Sequence, residues 1–202
     1  MYNNSMTKEK IILTDCDGVL LNWEYAFGEW MEFHGHTPVP EHNKFYKIRD
    51  KYGLQFDEQG DQIIKNFNES AAIGFLPALR DAQYYVKLLH EKYQYKFLVV
   101  TSLSLHPYAQ KLRINNLKKL FGDDAFEDFI FLDTGADKNE VLEDLANKYN
   151  NNFWIEDKPE NVDIGHNLGF RGILIEHGHN MDYKGPASVV ATWEEVYNIV
   201  TS

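Results

Sequence analysis

The chain has 202 residues, 44% of them apolar, and a formal net charge of -11. That is enough apolar matter for one domain, or one domain with a modest insertion, while the acidic surplus excludes non-specific binding to nucleic acid or an anionic membrane. Cys16 is the single cysteine, which excludes an intramolecular disulfide and a thiol-rich metal site; the start MYNNSMTKEK lacks an apolar targeting core and no apolar run nears the roughly 20 residues that span a bilayer, so the expected setting is a reducing cytoplasm.

Residues 11–15, IILTD, form the first predicted strand, an apolar run closed by an acid and followed by Cys16, Asp17 and Gly18. The next 60 or so residues, about that many by count, hold no comparable strand and exceed what a crossover needs. Within them Trp23, Phe27, Trp30 and Met31 fall at helical spacing, HTPVPEHN breaks the pattern, and residues 45–52 and 58–67 read as helices. Further strands follow at 96–101, 129–133, 153–157 and 172–176, alternating with helices at 78–92, 107–120, 138–148 and 159–168, and with a last helix near 193–199. Such alternation predicts parallel βαβ units. The expected architecture is α/β: a doubly wound, mostly parallel five-stranded sheet built from residues 1–21 and 78–202, with residues 22–77 inserted as a small α-helical cap.

In an open parallel sheet the ligand crevice lies beyond the carboxyl ends of the strands, so the residues that close each strand are the candidates for chemistry. Strand one closes on Asp15 with Asp17 just beyond, strand two on Thr101 and Ser102, and strand four on Glu156 and Asp157, while Lys138 opens the helix after strand three. A buried carboxylate costs several kcal/mol unless it is paired, protonated or metal-bound. Carboxylates, a hydroxyl and an ammonium converging on one crevice suit a hard divalent cation beside a phosphoryl group.

The segments DCDGVL, VVTS, ADKNEVL and WIEDKPENV, in that order and spanning nearly the whole chain, resemble the motifs of the haloacid dehalogenase-like (HAD) superfamily of phosphohydrolases. The resemblance implies a Rossmann-like core with a cap inserted just after the first motif. It implies Asp15 as the nucleophile that becomes an aspartyl phosphate, and Asp17 as the acid that protonates the leaving oxygen and later deprotonates water. It further implies a Mg2+ held by Asp15, by the backbone carbonyl of Asp17 and by Asp157, with Thr101 bonded to a phosphoryl oxygen and Lys138 balancing charge. Gly18 lets the chain turn sharply and, with Ser102, belongs to the substrate-binding set. Relatives that cleave carbon–halogen or carbon–phosphorus bonds generally lack an acid at the position of Asp17, so the resemblance favours a phosphate ester. Phosphomutases keep both acids, and an ED pair like Glu156–Asp157 occurs among them too.

Each candidate also has a plainer reading. Asp15 and Asp17 could form a solvated turn, Asp157 could cap a helix opening near Pro159, Thr101 could be structural, and Lys138 could be a solvated helix lysine with Lys158 as its rival. Recurrence of the whole set in order favours chemistry. Cys16 reads as a small buried hydrophobe, because strand alternation points it away from both aspartates and no CxxxxxR cradle accompanies it. The pairs His34/His36 and His177/His179 lack a third ligand at zinc-like spacing and read as loop polarity. Trp23, Tyr25, Phe27, Trp30 and Phe33 mostly pack the cap, with Trp23 a candidate wall for a nucleobase or other flat leaving group. Arg49, Lys51 and Arg80 are cations a second anionic group could use.

The expected function is a magnesium-dependent phosphatase for a small phosphomonoester, a (deoxy)nucleotide monophosphate first among them. A sugar phosphomutase of the same fold is the alternative, and a non-hydrolytic receiver-like or ligand-binding module is the third; receivers place their acid pair at adjacent positions and carry no cap. The expected partners are a small phosphorylated substrate, with no nucleic acid polymer and no membrane, and nothing in the sequence sets an oligomeric state.

Overall fold

The computed structural model of the protein describes residues 10–202. Six strands form one sheet: β1 (Lys10–Thr14), β2 (Tyr95–Thr101), β3 (Phe126–Phe131), β4 (Phe153–Glu156), β5 (Arg171–Ile175) and β6 (Ser188–Val190). Eight α-helices accompany them among the described residues: α1 (Trp23–Phe33), α2 (Ile48–Tyr52), α3 (Asp57–Asn68), α4 (Ala82–Tyr93), α5 (Pro107–Phe121), α6 (Asn139–Tyr149), α7 (Pro159–Asn167) and α8 (Trp193–Thr201). Every strand pair is parallel and the order is β3-β2-β1-β4-β5-β6. The fold is therefore the expected doubly wound α/β sheet, with one strand more than expected. β6 is three residues long and follows Gly185 and Pro186, too short a run for periodicity to register. The first part of the core was expected from residue 1, and residues 1–9 lie outside the described residues.

Strand alternation splits the core into two apolar layers. Ile12, Phe97, Val99, Ile155 and Ile173 pack with α4, α5 and α8 through Val86, Leu117 and Trp193, whereas Leu13, Leu98, Val100, Trp154 and Leu174 pack with α6 and α7 through Leu142 and Val162. The order reverses between the parallel neighbours β1 and β4: β2 and β3 follow on the β1 side, β5 and β6 on the β4 side. A crevice beyond the carboxyl ends of those two strands is the position where such sheets take ligands.

The chain leaves the sheet and returns to it at one point. Asn22 N donates to Pro77 O at 2.9 Å, Leu79 N to Leu20 O at 2.9 Å, and Leu21 bridges Ala78. Between these contacts lie α1, α2, α3 and two 3-10 turns, His42–Lys44 and Ala71–Gly74. Asn22 caps α1 by accepting from Tyr25 N. Phe27 stacks on Trp23 with centroids 4.5 Å apart, and Phe67 of α3 meets it edge-on at 5.3 Å. The helix expected over residues 45–52 begins only at Ile48, because Phe45 and Lys47 are extended. Phe27, Met31, Ile48 and Phe67 join the same apolar cluster as Ile12 and Val99, so the helical segment packs directly onto the sheet layer.

One close approach fixes α7. A Cβ at Gly165 would lie 2.4 Å from Cδ1 of the fully buried Trp154, whose indole donates to Asn161 O at 3.1 Å. We predict that Gly165→Ala destabilises by about 1–3 kcal/mol through overpacking, lowering Tm by roughly 2–4 °C per kcal/mol. Gly28, inside α1 with open space around it, should show the opposite sign, with Gly28→Ala adding about 0.5–1 kcal/mol. Thermal melts of both variants check this, and equal signs would contradict it.

Candidate active site

β1 and β4 are hydrogen-bonded neighbours, with Thr14 opposite Ile155 and Asp15 N donating to Ile155 O at 2.8 Å. Asp15 and the Glu156–Asp157 pair therefore leave the sheet side by side. One ligand oxygen from each of Asp15, Glu156 and Asp157 lies within 4.8 Å of the other two. Lys138, immediately before α6 and 2% exposed, places Nζ 2.8 Å from Asp15 Oδ1 and 2.8 Å from Glu156 Oε2. Its ammonium also stands 5.3 Å above the Trp154 ring. The loop that carries it is tied to the end of β2: Ser102 Oγ donates to Ala136 O at 2.8 Å, and Thr134 Oγ1 to Leu103 O at 2.7 Å. Thr101 ends β2, buried beside this loop. The rival lysine, Lys158, instead has Nζ 5.8 Å above the ring of Tyr46.

Burial sets the charge states here. Asp15 and Asp157 are each pushed up to about 7, first by loss of water, then by the charge of Glu156 on Asp15 and of Asp15 on Asp157, with Lys138 pulling both down. They titrate as a pair. Burial opposes the charge of Lys138, but Asp15 and Glu156 outweigh it and raise its pKa, so the ammonium persists. Glu156 is raised by burial against the pull of Lys138. Its oxygens are already occupied: Oε2 accepts from Lys138 Nζ and Asn161 Nδ2, and Oε1 from the backbone N–H of Asp157 and of Lys158, where α7 opens. Neither acid caps that helix: no side chain accepts from its first turn, and Glu156 instead fixes the two residues that precede Pro159. Asp15 and Asp157 are the acids left short of positive charge, and a compact all-oxygen donor set of this kind fits a hard cation such as Mg2+.

Asp17 has a different partner. Its Oδ1 accepts from Nη1 of Arg113, on α5, at 2.6 Å, and the same nitrogen lies 3.0 Å from Cys16 Sγ. Cys16 and Asp17 therefore share one cation, which corrects the expectation that the thiol points away from both aspartates. Strand alternation stops at Thr14; beyond it Leu20 and Leu21 N–H both donate to Cys16 O in a tight turn. Burial pushes the Cys16 thiol up to about 12, so it is an inert buried group. Asp17 is raised by burial, with Arg113 opposing. Gly18 has φ +74°, and a Cβ there would lie 2.3 Å from Asp157 Oδ2, so both backbone and space require glycine.

Arg113 carried no weight in the sequence reading, yet a signal was present. It lies four residues after Ala109 and four before Leu117, both buried, so it occupies the apolar stripe of α5. The second HGH pair is likewise more than loop polarity. His177 Nε2 lies 2.7 Å from Gly18 O and His179 Nε2 3.3 Å from Asp157 O, with the rings stacked 5.6 Å apart. Both acceptors are carbonyls, so those nitrogens carry hydrogen, and burial pushes His177 down to about 4, keeping it neutral. A Cβ on the intervening Gly178 would meet Asn43 O of the helical segment at 2.4 Å. Tyr46, also from that segment, stands 5.2 Å from His179, ring to ring.

Trp23 donates from Nε1 to Asn68 Oδ1 at 3.0 Å, and Asn68 Nδ2 donates to Leu103 O at 3.1 Å. With Glu24, Phe27, Lys51 and Tyr52 it lines a cavity of about 290 Å³. The three cations considered for a second anion are already engaged: Arg49 with Asp50 and Asp57, Lys51 with Glu24, and Arg80 with the carbonyls of Ala191 and Glu176. Among the described residues, no helix is long and apolar enough to cross a membrane.

No protein-family model matches the chain. An uncharacterized 32.4 kDa protein of the Gp30-rIII intergenic region of Enterobacteria phage T4 is 28% identical over 195 residues, covering 93% of this chain and 68% of that protein. Among solved structures, the haloacid dehalogenase-like family hydrolase SP0104 of Streptococcus pneumoniae superposes with a TM-score of 0.65 at 15% identity, covering 96% of this chain and 99% of its own. A Bacillus subtilis protein assigned as a HAD-hydrolase and solved bound to magnesium superposes at 0.62 with 18% identity, covering 96% and 99%. The L-2-haloacid dehalogenase of Xanthobacter autotrophicus superposes at 0.61 with 11% identity, covering 96% and 98%. The chain thus has the haloacid dehalogenase-like fold.

Proposed function

We propose that this chain is a Mg2+-dependent phosphatase that hydrolyses a small phosphomonoester through an aspartyl phosphate on Asp15. The observation that carries the reading is the pairing of two acids two residues apart with different partners. Asp15 is held by Lys138 inside the acid cluster, and Asp17 by Arg113 outside it. Mg2+ held by Asp15, Asp157 and the Asp17 carbonyl would neutralise the buried acids and withdraw charge from a phosphoryl oxygen.

With Asp15 ionised, its oxygen attacks phosphorus while Lys138 stays within reach of the same carboxylate to balance the charge that accumulates. Thr101 hydrogen-bonds a phosphoryl oxygen, and Gly18 and Ser102 shape the phosphate's cradle. Asp17 gives its proton to the departing oxygen and takes one from water in the second half. A dehalogenase of the same fold expels a halide, which leaves without a proton; an alkoxide does not, and a second acid at Asp17 answers that need. Residues 22–77, joined to residues 1–21 and 78–202 through the contacts at Leu20–Asn22, act as the cap, with Trp23 as a candidate wall for the leaving group. An aromatic wall suits a nucleobase, which makes nucleotide monophosphates the first class to try. The buried, unreactive Cys16 suits a reducing cytoplasm.

Two outcomes are expected. Because the folded-state values of Asp15 and Asp157 are pushed above the unfolded carboxylate value of about 3.9, this pair withdraws stability as pH climbs through about 7 when no metal is present. Mg2+ at a hundred times its Kd should stabilise by about 2.7 kcal/mol at pH 8 and distinctly less at pH 5, where protons compete for the same oxygens; thermal shift at the two pH values reads it. A shift of equal size at both contradicts the assignment of these acids. In the second test, release of inorganic phosphate from p-nitrophenyl phosphate and a panel of nucleotides and sugar phosphates should require Mg2+ and fall at least about 10³-fold in Asp15→Asn. Isomerisation of a sugar phosphate with little release would point to mutase chemistry, and full activity in the variant would remove the proposal.

A further inference from the structure

Arg113 is 0% exposed, lies on the buried stripe of α5 between Ala109 and Leu117, and spends its contacts on Cys16 and Asp17. Its Nε and Nη2 have no hydrogen-bond partner among the described residues, so the whole compensation for burying this cation runs through Nη1. An apolar pair of similar volume in place of both Arg113 and Asp17 would serve stability at least as well, whereas removing Arg113 alone strands Asp17 without its counter-ion. Packing of α5 therefore gives no reason for a guanidinium on this stripe, whereas Asp17 does.

Asp17 sits on the turn after β1, where Gly18 adopts a left-handed conformation and regular strand hydrogen bonding has ended. A carboxyl on such a turn has no neighbour in the sheet to set its plane. Arg113 supplies one from α5, holding Oδ1 at 2.6 Å while the Asp17 side chain keeps 24% exposure. A guanidinium donates and never accepts or releases a proton under ordinary conditions. The oxygen it holds is therefore closed to proton transfer, and the transferable proton must ride on the other one.

Resting on the phosphatase reading above, we propose that Arg113 is the positioning residue of the general acid: by holding Oδ1 of Asp17 it confines the transferable proton to Oδ2 and fixes where that oxygen stands. In the first half-reaction the Asp15–phosphorus bond forms, the ester P–O bond breaks, and the proton on Oδ2 passes to the leaving oxygen, which departs as the alcohol. In the second, a water proton returns to Oδ2, the water oxygen bonds to phosphorus and the Asp15–phosphorus bond breaks. Arg113 takes part in neither exchange.

The test compares two esters of nearly the same shape whose leaving groups differ in basicity, p-nitrophenyl phosphate and phenyl phosphate, using kcat/KM with saturating Mg2+ so that the first half-reaction is read. Nitrophenolate departs with little help, and phenolate needs its proton more. We expect Arg113→Met to lower kcat/KM for phenyl phosphate by roughly 10²-fold or more, within the range a general acid contributes, and for p-nitrophenyl phosphate at least about tenfold less than that. Arg113→Lys, which keeps the charge but has a shorter, non-planar head that does not place a donor where Nη1 stands, should show the same selectivity in smaller measure, and it carries the test if the methionine variant does not fold. In an Asp17→Asn background Arg113→Met should add no further selective loss. Equal losses on both esters, or a selective loss that persists without Asp17, overturns the positioning role while leaving the phosphatase reading intact. Absence of phosphate release by the unaltered protein from either ester and from the wider panel overturns the phosphatase reading itself.

Discussion

One ammonium among three crowded acids, Asp15 and Glu156 buried and Asp157 partly so, is the constraint around which this fold is arranged. Lys138 reaches Asp15 and Glu156 at 2.8 Å each, and Asp157 stands in the same cluster. A single positive charge cannot balance three carboxylates withdrawn from water, so Asp15 and Asp157 rise to about 7. Several features elsewhere exist to hold that crowding in place. The β1–β4 pairing puts the acids side by side, Gly18 leaves room for Asp157 Oδ2 where any Cβ would collide, and Trp154, locked by Gly165, walls off the lysine. Acids so desolvated and so undercompensated form a poor structural device and a good receptor for a hard cation.

The two aspartates of the opening motif illustrate how environment divides labour between identical side chains. Asp15 faces a lysine and two acids; Asp17 faces an arginine and a thiol. Carboxyl pairs whose surroundings differ in this way are suited to carry opposite roles in one reaction. The helical segment reaches the same end of the sheet. It begins and ends at backbone contacts between residues 20–22 and 77–79, immediately after Asp17, and it touches the far side of the crevice through Asn43 against Gly178 and Tyr46 against His179.

Much of this was legible in the sequence, because strand ends in a parallel sheet carry chemistry and their residues can be compared directly. Asp15, Lys138 and Asp157 converge as that rule suggests. Where the reading fell short, the reasons are local. β6 is too short for a period, and the helix before Tyr52 starts late because an extended stretch precedes it. Alternation was carried past Thr14, the end of β1, through residues 15–17, which misplaced Cys16. The strand-end rule was not applied to β5, whose exit brings His177 to Gly18. Arg113 was the deepest omission: a cation on an apolar helical stripe announces a buried acid, but only the tertiary structure says that the acid is Asp17.

The cation site is tested most directly by crystals grown with saturating Mn2+, an anomalous scatterer that takes the same oxygen donors as Mg2+. The account predicts one strong anomalous peak within about 2.0–2.3 Å of a carboxylate oxygen of both Asp15 and Asp157, with Arg113 still on Asp17. A fully occupied peak on other side chains, or none at all with Asp15 and Asp157 turned apart, would contradict it.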